Sequence, residues 1–346
     1  MIDKEEQSKP MEKRPSATNR LVHGSATIVI PAYNSERTIA RVIESCLNQT
    51  VKGEVIVVDD GSDDSTAEIV KRYPVKYIYQ ENSGPAKARN TGWENANGEI
   101  ILFTDSDCIP EKDWVGKMLG YHSRDNIYVV GGSYDITNPE SLLARCIHQE
   151  ILERHRKMSG EVDYLGSFNL SYRRKILEEL GGFNEEFRYA SGEDNDLSYR
   201  VRKKGYKLIF DREIKVAHNH QTKFFKYLKE QFRHGFWRMK LYRLHPDMTK
   251  GDRYAGIFDF IQPPLAMVIL IGAFSSIFSE LLLKITGGLA LLLVGLQLPI
   301  TFSVIKREKQ ISYLFFIPML FFRTFARGLG MLQGFLDFFL LKGSKK

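Results

Sequence analysis

Between Ala26 and His220, short apolar runs alternate with segments whose apolar residues fall at helical spacing. Ala26–Ile30 is nearly all apolar and stops at Pro31, the pattern of a strand buried on both faces. Ile39, Val42, Ile43 and Cys46 then recur three and four residues apart, predicting a helix from an N-cap at Ser35 to about Gln49. A second strand, Glu54–Val58, ends on Asp59-Asp60-Gly61-Ser62, and a helix follows from about Ser65 to Arg72. Val75–Tyr79 reads as a third strand. Asn82-Ser83-Gly84-Pro85 opens a helix that Gly98 closes, and Ile100–Phe103 runs as a fourth strand into Thr104-Asp105-Ser106-Asp107. Such alternation predicts an α/β domain around a doubly wound, mostly parallel sheet.

The stretch after Asp107 is less regular. It predicts helices from Pro110 to about Ser123 and from Pro139 to Met158, with a strand at Ile127–Val130 between them. Leu165–Tyr172 is a strand or loop entering a helix at Arg173, which Gly181-Gly182-Phe183 ends. Another helix begins in Ser191–Leu197 and stops at Gly205; the strand Lys207–Phe210 and the segment Ile214–His220 complete the domain.

Beyond His220 the pattern changes. Residues 222–245 form a basic amphipathic helix with Phe225, Leu228, Phe232, Phe236 and Met239 near one face, suited to a membrane interface or to the surface of the domain. Phe260–Phe278 and Ile285–Ile305 are long and apolar enough to span a bilayer. Ile311–Leu341 is broken by Arg323 and Arg327. Either it is a third span whose arginines face protein or headgroups, or it lies partly in the interface, which Lys342, Lys345 and Lys346 at the end favour. Residues 1–25 are polar, with Pro10 and Pro15 and no early apolar run, and read as a flexible tail without a signal peptide. The expected division is a tail at 1–25, an α/β domain at 26–221, an interface helix and linker at 222–256, and a membrane region at 257–346.

The 43% average hydrophobic content of the 346 residues conceals this split. The net charge of +7 is also uneven: from Lys223 to Arg253 there are nine Lys or Arg against three acids. A basic segment beside an apolar one points to an anionic membrane surface, and no recognition motif accompanies it that would suit nucleic acid. With the α/β domain on the cytoplasmic side of the cell membrane, two spans return the basic run Lys306-Arg307-Glu308-Lys309 to that side, the expected multi-pass arrangement. Cys46, Cys108 and Cys146 are widely spaced and form no metal pattern, as suits a reducing compartment.

The candidate chemistry sits at strand ends. Asp105 and Asp107, two apart after an apolar strand, project to one side and repel each other unless a cation lies between them. A hard ion such as Mg²⁺ or Mn²⁺ meets that need and can share its oxygen ligands with a phosphate. Tyr33-Asn34, Asp59-Asp60 and Asp105-Ser106-Asp107 end successive strands, and ligands of such sheets bind beyond those ends. Asp194 lies in the first turn of its helix, where the dipole favours the ionised carboxylate.

Taken in order, Ile-Pro-Ala-Tyr-Asn at 30–34, Val-Val-Asp-Asp-Gly-Ser at 57–62, Gly84 through Asn90, Asp105-Ser106-Asp107, Gly181-Gly182-Phe183 and Glu193–Leu197 carry a resemblance. Over residues 25–245 the chain resembles the inverting nucleotide-sugar glycosyltransferases of family 2, which have the GT-A fold. The resemblance implies that Pro31, Tyr33, Asn34 and Glu36 shape the nucleotide pocket. It implies that Asp59 accepts a hydrogen bond from the base while Asp60 supports its turn, and that Lys87 and Arg89 lie along the nucleotide. Asp105 would face ribose and metal, Asp107 would ligate the metal, and His218 or His220 would add a metal or phosphate contact.

The implied reaction is a direct displacement at the anomeric carbon, with Asp194 as the general base, Glu193 orienting the acceptor and Asp196 bracing the loop. A base contributes roughly 10²–10⁴-fold in rate. Polymer-building relatives carry Gln-x-x-Arg-Trp after the base. Here Gln231 is followed by Arg233 and Trp237 at other spacings, which argues against processive synthesis and leaves those two residues to border the diphosphate or acceptor. The expected partners are a nucleoside-diphosphate sugar, a lipid-linked or surface glycan acceptor and membrane lipid. The alternatives are a polyprenyl-phosphate sugar synthase, a non-catalytic nucleotide-sugar-binding membrane protein and a nucleotidyltransferase.

Overall fold

In strand β1 (Ala26–Ala32) every residue is buried, because β2 (Glu54–Asp60) and β4 (Ile100–Thr104) flank it in parallel and helices cover both faces. The period-two alternation of side chains sorts the strands into two layers. Ile28, Ile30, Val57 and Leu102 face one cluster; Val29, Ile56, Val58 and Phe103 face the other. The first layer packs on α1 (Ile39–Leu47) and α4 (Trp114–His122). The second packs on α3 (Pro85–Glu94), α6 (Arg174–Leu180) and α7 (Glu193–Lys203). Full burial of each such aliphatic side chain contributes about 1.5–3 kcal/mol. The computed structural model behind this description covers residues 26–189, 191–250 and 257–341. The tail at 1–25, part of the linker, and Lys342, Lys345 and Lys346 lie outside the described residues.

The remaining elements are α2 (Thr66–Val70), β3 (Lys76–Gln80), β5 (Cys108–Pro110), β6 (Val129–Ile136), α5 (Leu142–His155), β7 (Gly160–Val162), β8 (Asn169–Arg173) and β9 (Leu208–His218). The strands form one mixed sheet in the order β3-β2-β1-β4-β8-β6-β9-β5, with β7 beside β9. The parallel half, β3 to β4, is the part that alternates strand with helix. β8 then enters antiparallel between β4 and β6, with Leu102 opposite Ser171. β9 bulges at residues 212–214, opposite the Gly132–Ser133 step of β6. A side chain at Gly132 would put its Cβ 2.1 Å from the Ile214 carbonyl oxygen, so only glycine fits opposite the bulge.

Three local expectations are corrected. Cys108–Pro110 is a strand paired with β9, and the helix expected from Pro110 begins at Trp114. The expected Lys207–Phe210 and Ile214–His220 pieces are one strand running through the bulge. Ser35 does not cap α1, which begins at Ile39; its hydroxyl lies 2.7 Å from that of Ser106 and so ties two strand-end loops together.

The C-terminal part comprises α8 (Phe224–Leu244), α9 (Ile257–Ser275), α10 (Glu280–Gly295), α11 (Leu298–Glu308) and α12 (Phe316–Phe335). Among the described residues, three stretches are long and apolar enough to cross a membrane: Phe260–Phe278, Glu280–Glu308 and Ile311–Leu341. Ile271, Phe274, Phe278 and Leu281 are exposed on them, as side chains meeting lipid would be. α8 packs along α12 at glycine contacts: a Cβ on Gly330 would come within 2.0 Å of the Phe232 carbonyl oxygen, and one on Gly235 within 2.1 Å of that of Arg327. The expected apolar stripe of α8 is therefore divided. The backbone at Phe232 and Phe236 lies against α12, whereas Phe225 stays 85% exposed. Both arginines of α12 turn to protein: Arg323 pairs with Glu150 of α5, and Arg327 Nε donates to Gln231 Oε1 of α8 at 2.8 Å.

Candidate active site

The carboxyl ends of β1, β2 and β4 are built from residues that fix one another. Asp59 is fully buried; its Oδ1 accepts from the Ser62 amide at 2.9 Å and its Oδ2 from the Tyr77 hydroxyl at 2.8 Å. Burial, then the bond to Asp59, raises the Tyr77 pKa and keeps its phenol a donor. Asp60 accepts from the Ser83 and Gly84 amides at 2.9 and 2.8 Å and from Gln80 Nε2 at 2.6 Å. It thereby holds the turn into α3, where Gly84 adopts a φ of 96°. Asn34, also left-handed at φ 49°, trades hydrogen bonds with Ser62 and Asp63 across the β1 and β2 loops. Glu36 Oε2 accepts from the Ser65 amide, Pro31 is buried at the end of β1, and Tyr33 is half exposed beside them.

Asp105 and Asp107 follow β4 but take different partners. Asp105 Oδ1 accepts from Arg89 at 2.7 Å, and Asp107 Oδ2 lies 3.2 Å from His218 Nε2. Burial raises the Asp107 pKa, but the His218 charge and hydrogen bond outweigh it and hold the carboxyl below its ordinary range. His218 is shifted the opposite way: burial disfavours its cation, and Asp107 more than restores it. Asp107, Cys108 and His218 bring potential ligand atoms within 4.8 Å of one another. Burial, with Asp107 and Asp105 adding to it, raises the Cys108 thiol pKa well above its usual value, so the sulfur stays protonated. Within that cluster the donors suited to a hard cation such as Mg²⁺ or Mn²⁺ are thus the Asp107 carboxylate and the His218 imidazole, with Asp105 outside it on Arg89.

Arg89 joins this corner to the next. Its side chain is 2% exposed, and it bridges Asp105 to Glu193 at 2.7 and 2.9 Å. Both terminal nitrogens are thus engaged by carboxylates. Asp105 and Glu193 outweigh the burial that would discharge it. Glu193, buried beside Asp194, has its pKa pushed up by that burial and then by the Asp194 charge, with Arg89 opposing. Asp194 itself is partly exposed; its Oδ2 accepts from the Tyr164 hydroxyl at 2.9 Å. Asp196 braces the loop, accepting from Arg200 Nε at 2.8 Å with His245 Nε2 at 2.7 Å.

One cavity of about 400 Å³ is lined by Asp105, Glu193, Asp194 and His218 together. Two residues expected beside it do not line it. Trp237 is buried against Phe187, Leu241 and Phe338, and Arg233 lies over the Tyr189 ring at 4.6 Å. Lys87 pairs with Glu185 at 3.2 Å. The α8 residues that do line the cavity include Tyr227, Gln231, His234, Arg238 and Tyr242. They recur every three or four positions, a polar stripe that could have been found by testing α8 for two faces instead of one. Tyr164 had no such signal, because β8 and α6 separate it from Asp194, 30 residues on.

Comparison with known proteins agrees with this architecture. The model for "Glycosyl transferase family 2" matches residues 27–181. The glycosyltransferase AglE of Haloferax volcanii is 30% identical over 228 residues, covering 63% of this chain and 74% of that protein. The pre-mycofactocin glycosyltransferase of Mycobacterium tuberculosis is 29% identical over 239 residues, and the chain spans about half of its length. Among solved structures, the mannosyltransferase PcManGT of Pyrobaculum calidifontis, in complex with GDP-Man and Mn²⁺, has a TM-score of 0.59 over 94% of this chain and 90% of its own, at 19% identity. That likeness is one of fold.

Proposed function

This chain belongs to glycosyltransferase family 2, and from that premise we propose an inverting, metal-dependent transfer from a nucleoside-diphosphate sugar to a hydroxyl on a lipid-linked or surface glycan. The observation that carries the reading is the single cavity holding Asp105 and Asp194. The strand-end residues Pro31, Tyr33, Asn34, Glu36 and Asp59 receive the nucleotide, and Asp60 keeps their turn in place. Asp105, Asp107 and His218 would hold Mg²⁺ or Mn²⁺, whose positive charge would supply electrostatic stabilisation for the leaving diphosphate.

Asp194 takes the proton from the acceptor hydroxyl as its oxygen attacks the anomeric carbon. The bond to the nucleoside diphosphate breaks on the opposite face, and the anomeric configuration inverts. The Tyr164 hydroxyl on Oδ2 orients the Asp194 carboxylate. Glu193, anchored by Arg89, positions the acceptor side of the loop. Residues 26–221 act as the catalytic domain and 257–346 as its anchor, with 222–256 between them. The catalytic domain lies on the cytoplasmic face of the cell membrane.

The test is a panel of UDP-, GDP- and dTDP-sugars scored by thermal stabilisation with Mn²⁺ and by release of nucleoside diphosphate. One donor should stabilise the protein and turn over, and Asp107→Ala should abolish both. Release of pyrophosphate in place of nucleoside diphosphate would instead identify a nucleotidyltransferase.

A further inference from the structure

The cavity continues past Asp194 toward the apolar helices. His234 Nδ1 of α8 lies 2.8 Å from the Ser191 hydroxyl, in the loop that leads into α7. One and two turns farther along α8, Arg238 and Tyr242 also line the cavity. The wall facing them includes Phe260 and Pro263 of α9 and Met331 of α12. Tyr242 and Phe260 stack with centroids 6.2 Å apart. This end of the lining therefore lies where the apolar stretch Phe260–Phe278 begins.

Between the Asp194 end and the apolar end the surroundings are cationic. Arg154, Arg238 and Arg327 line the cavity, and Arg323 stands close by, paired with Glu150. Besides Asp105, Glu193 and Asp194 at the catalytic end, two carboxylates that line the cavity oppose these four guanidiniums. Glu150 is held by Arg154 and Arg323, and Glu230 accepts from Gln221 Nε2 at 3.0 Å. Among the described residues Arg238 has no hydrogen-bond or ion-pair partner. The ring of His234 opens onto the cavity. Desolvation within the cavity, and after it the cations of Arg327, Arg238 and Arg323, lower its pKa. Cations that repel a proton from that ring attract an anion to the space beside it. A soluble glycan hydroxyl needs neither this charge nor an apolar exit. A lipid-borne phosphate matches both.

Building on the transferase reading, we propose that the acceptor is a membrane-anchored lipid diphosphate glycan. Its diphosphate lies against Arg238 and Arg327, its terminal sugar hydroxyl reaches Asp194, and its tail leaves past Tyr242, Phe260 and Met331 along α9. The lipid then need not leave the membrane to react. Bond changes are those of the transfer already described, and the diphosphate keeps its charge throughout.

The experiment uses the full chain in phosphatidylcholine nanodiscs, with geranylgeranyl diphosphate as probe and no added divalent cation, so that binding cannot be routed through the metal acids. The wild type should bind it about tenfold more tightly than geranylgeraniol or inorganic diphosphate. Arg238→Gln should weaken that binding about tenfold, and Arg238→Lys should recover most of it. The melting temperature without ligand reports whether each variant is folded.

A folded Arg238→Gln protein that binds the lipid diphosphate as the wild type does overturns the proposal. So does a loss confined to nucleoside diphosphate with Mn²⁺, because the cations would then serve the donor. If Arg238→Gln does not fold, the wild-type comparison decides: equal affinity for geranylgeraniol and its diphosphate overturns the proposal. Failure of the transferase reading looks different, since no nucleotide sugar would then bind or turn over whatever the lipid does.

Discussion

At the strand-end side of the cavity, Asp59 and Asp60 are held by groups no more than 24 residues away, and Asn34 by Ser62, 28 residues on. Across the cavity the spans are far longer: Arg89 to Glu193 is 104 residues, Gln231 to Arg327 is 96 and Glu150 to Arg323 is 173. The first side is set by parallel topology, which delivers neighbouring strand ends to one edge. The second is assembled by buried charge between elements remote in sequence, and it requires the C-terminal helices to be docked. The strand-end side should therefore survive changes that disable the helical side, and loss of charge should damage the helical side most.

The largest separation should come from Asp194→Asn. Transfer should fall roughly 10²–10⁴-fold while donor binding, a property of the strand-end side, changes little. Steady-state rates together with donor titration check this. A variant that lost donor affinity and kept its rate at saturation would reverse the comparison.

Arg89→Met attacks the link between the sides. It leaves Asp105 and Glu193 without their shared cation, and breaking such a buried pair costs about 3–5 kcal/mol, read as lowered denaturant resistance. A variant as stable as the wild type would mean that the bridge is dispensable.

The Arg89 result also bears on what the sequence made legible. The parallel half of the sheet and its polar strand ends could be read because hydrophobic period and turn residues act over a few positions. The antiparallel entry of β8, the strand Cys108–Pro110 and the inward turn of Arg323 and Arg327 could not. Each depends on a partner far along the chain. Arg89 illustrates the limit: its place beside the site was legible, but its two carboxylate partners were not. Trp237 shows the converse error. Its proximity to an expected motif pointed to the cavity, while packing against Phe187 and Phe338 took it into a core.

Acid should next separate the two sides. Burial raises the Glu150 pKa, but Arg323, Arg154 and Arg327 outweigh it and bring it from 4.5 down to about 2. A folded-state pKa below the unfolded one gives stability that is present above about 4.5 and lost as pH falls toward 2; for this shift that is on the order of 3 kcal/mol. Hydrogen exchange in α12 should rise across that window before exchange in β1 does. Simultaneous loss of both would mean that the helices are not held by this pair.

The smallest effect belongs to Arg233→Gln. Its stacking on Tyr189 at 4.6 Å is worth about 0.5–1 kcal/mol, and the residue lies off the cavity. Its KM for donor should stay close to wild type. A KM raised by about an order of magnitude would return Arg233 to the diphosphate.

The stereochemistry of the product tests the central claim most directly. With a single displacement driven by Asp194, an α-linked nucleotide sugar must yield a β-linked glycan, visible in the coupling constant of the new anomeric proton by NMR. A product that retains the α configuration would contradict it, since no single attack from the Asp194 side could leave the anomeric centre unchanged.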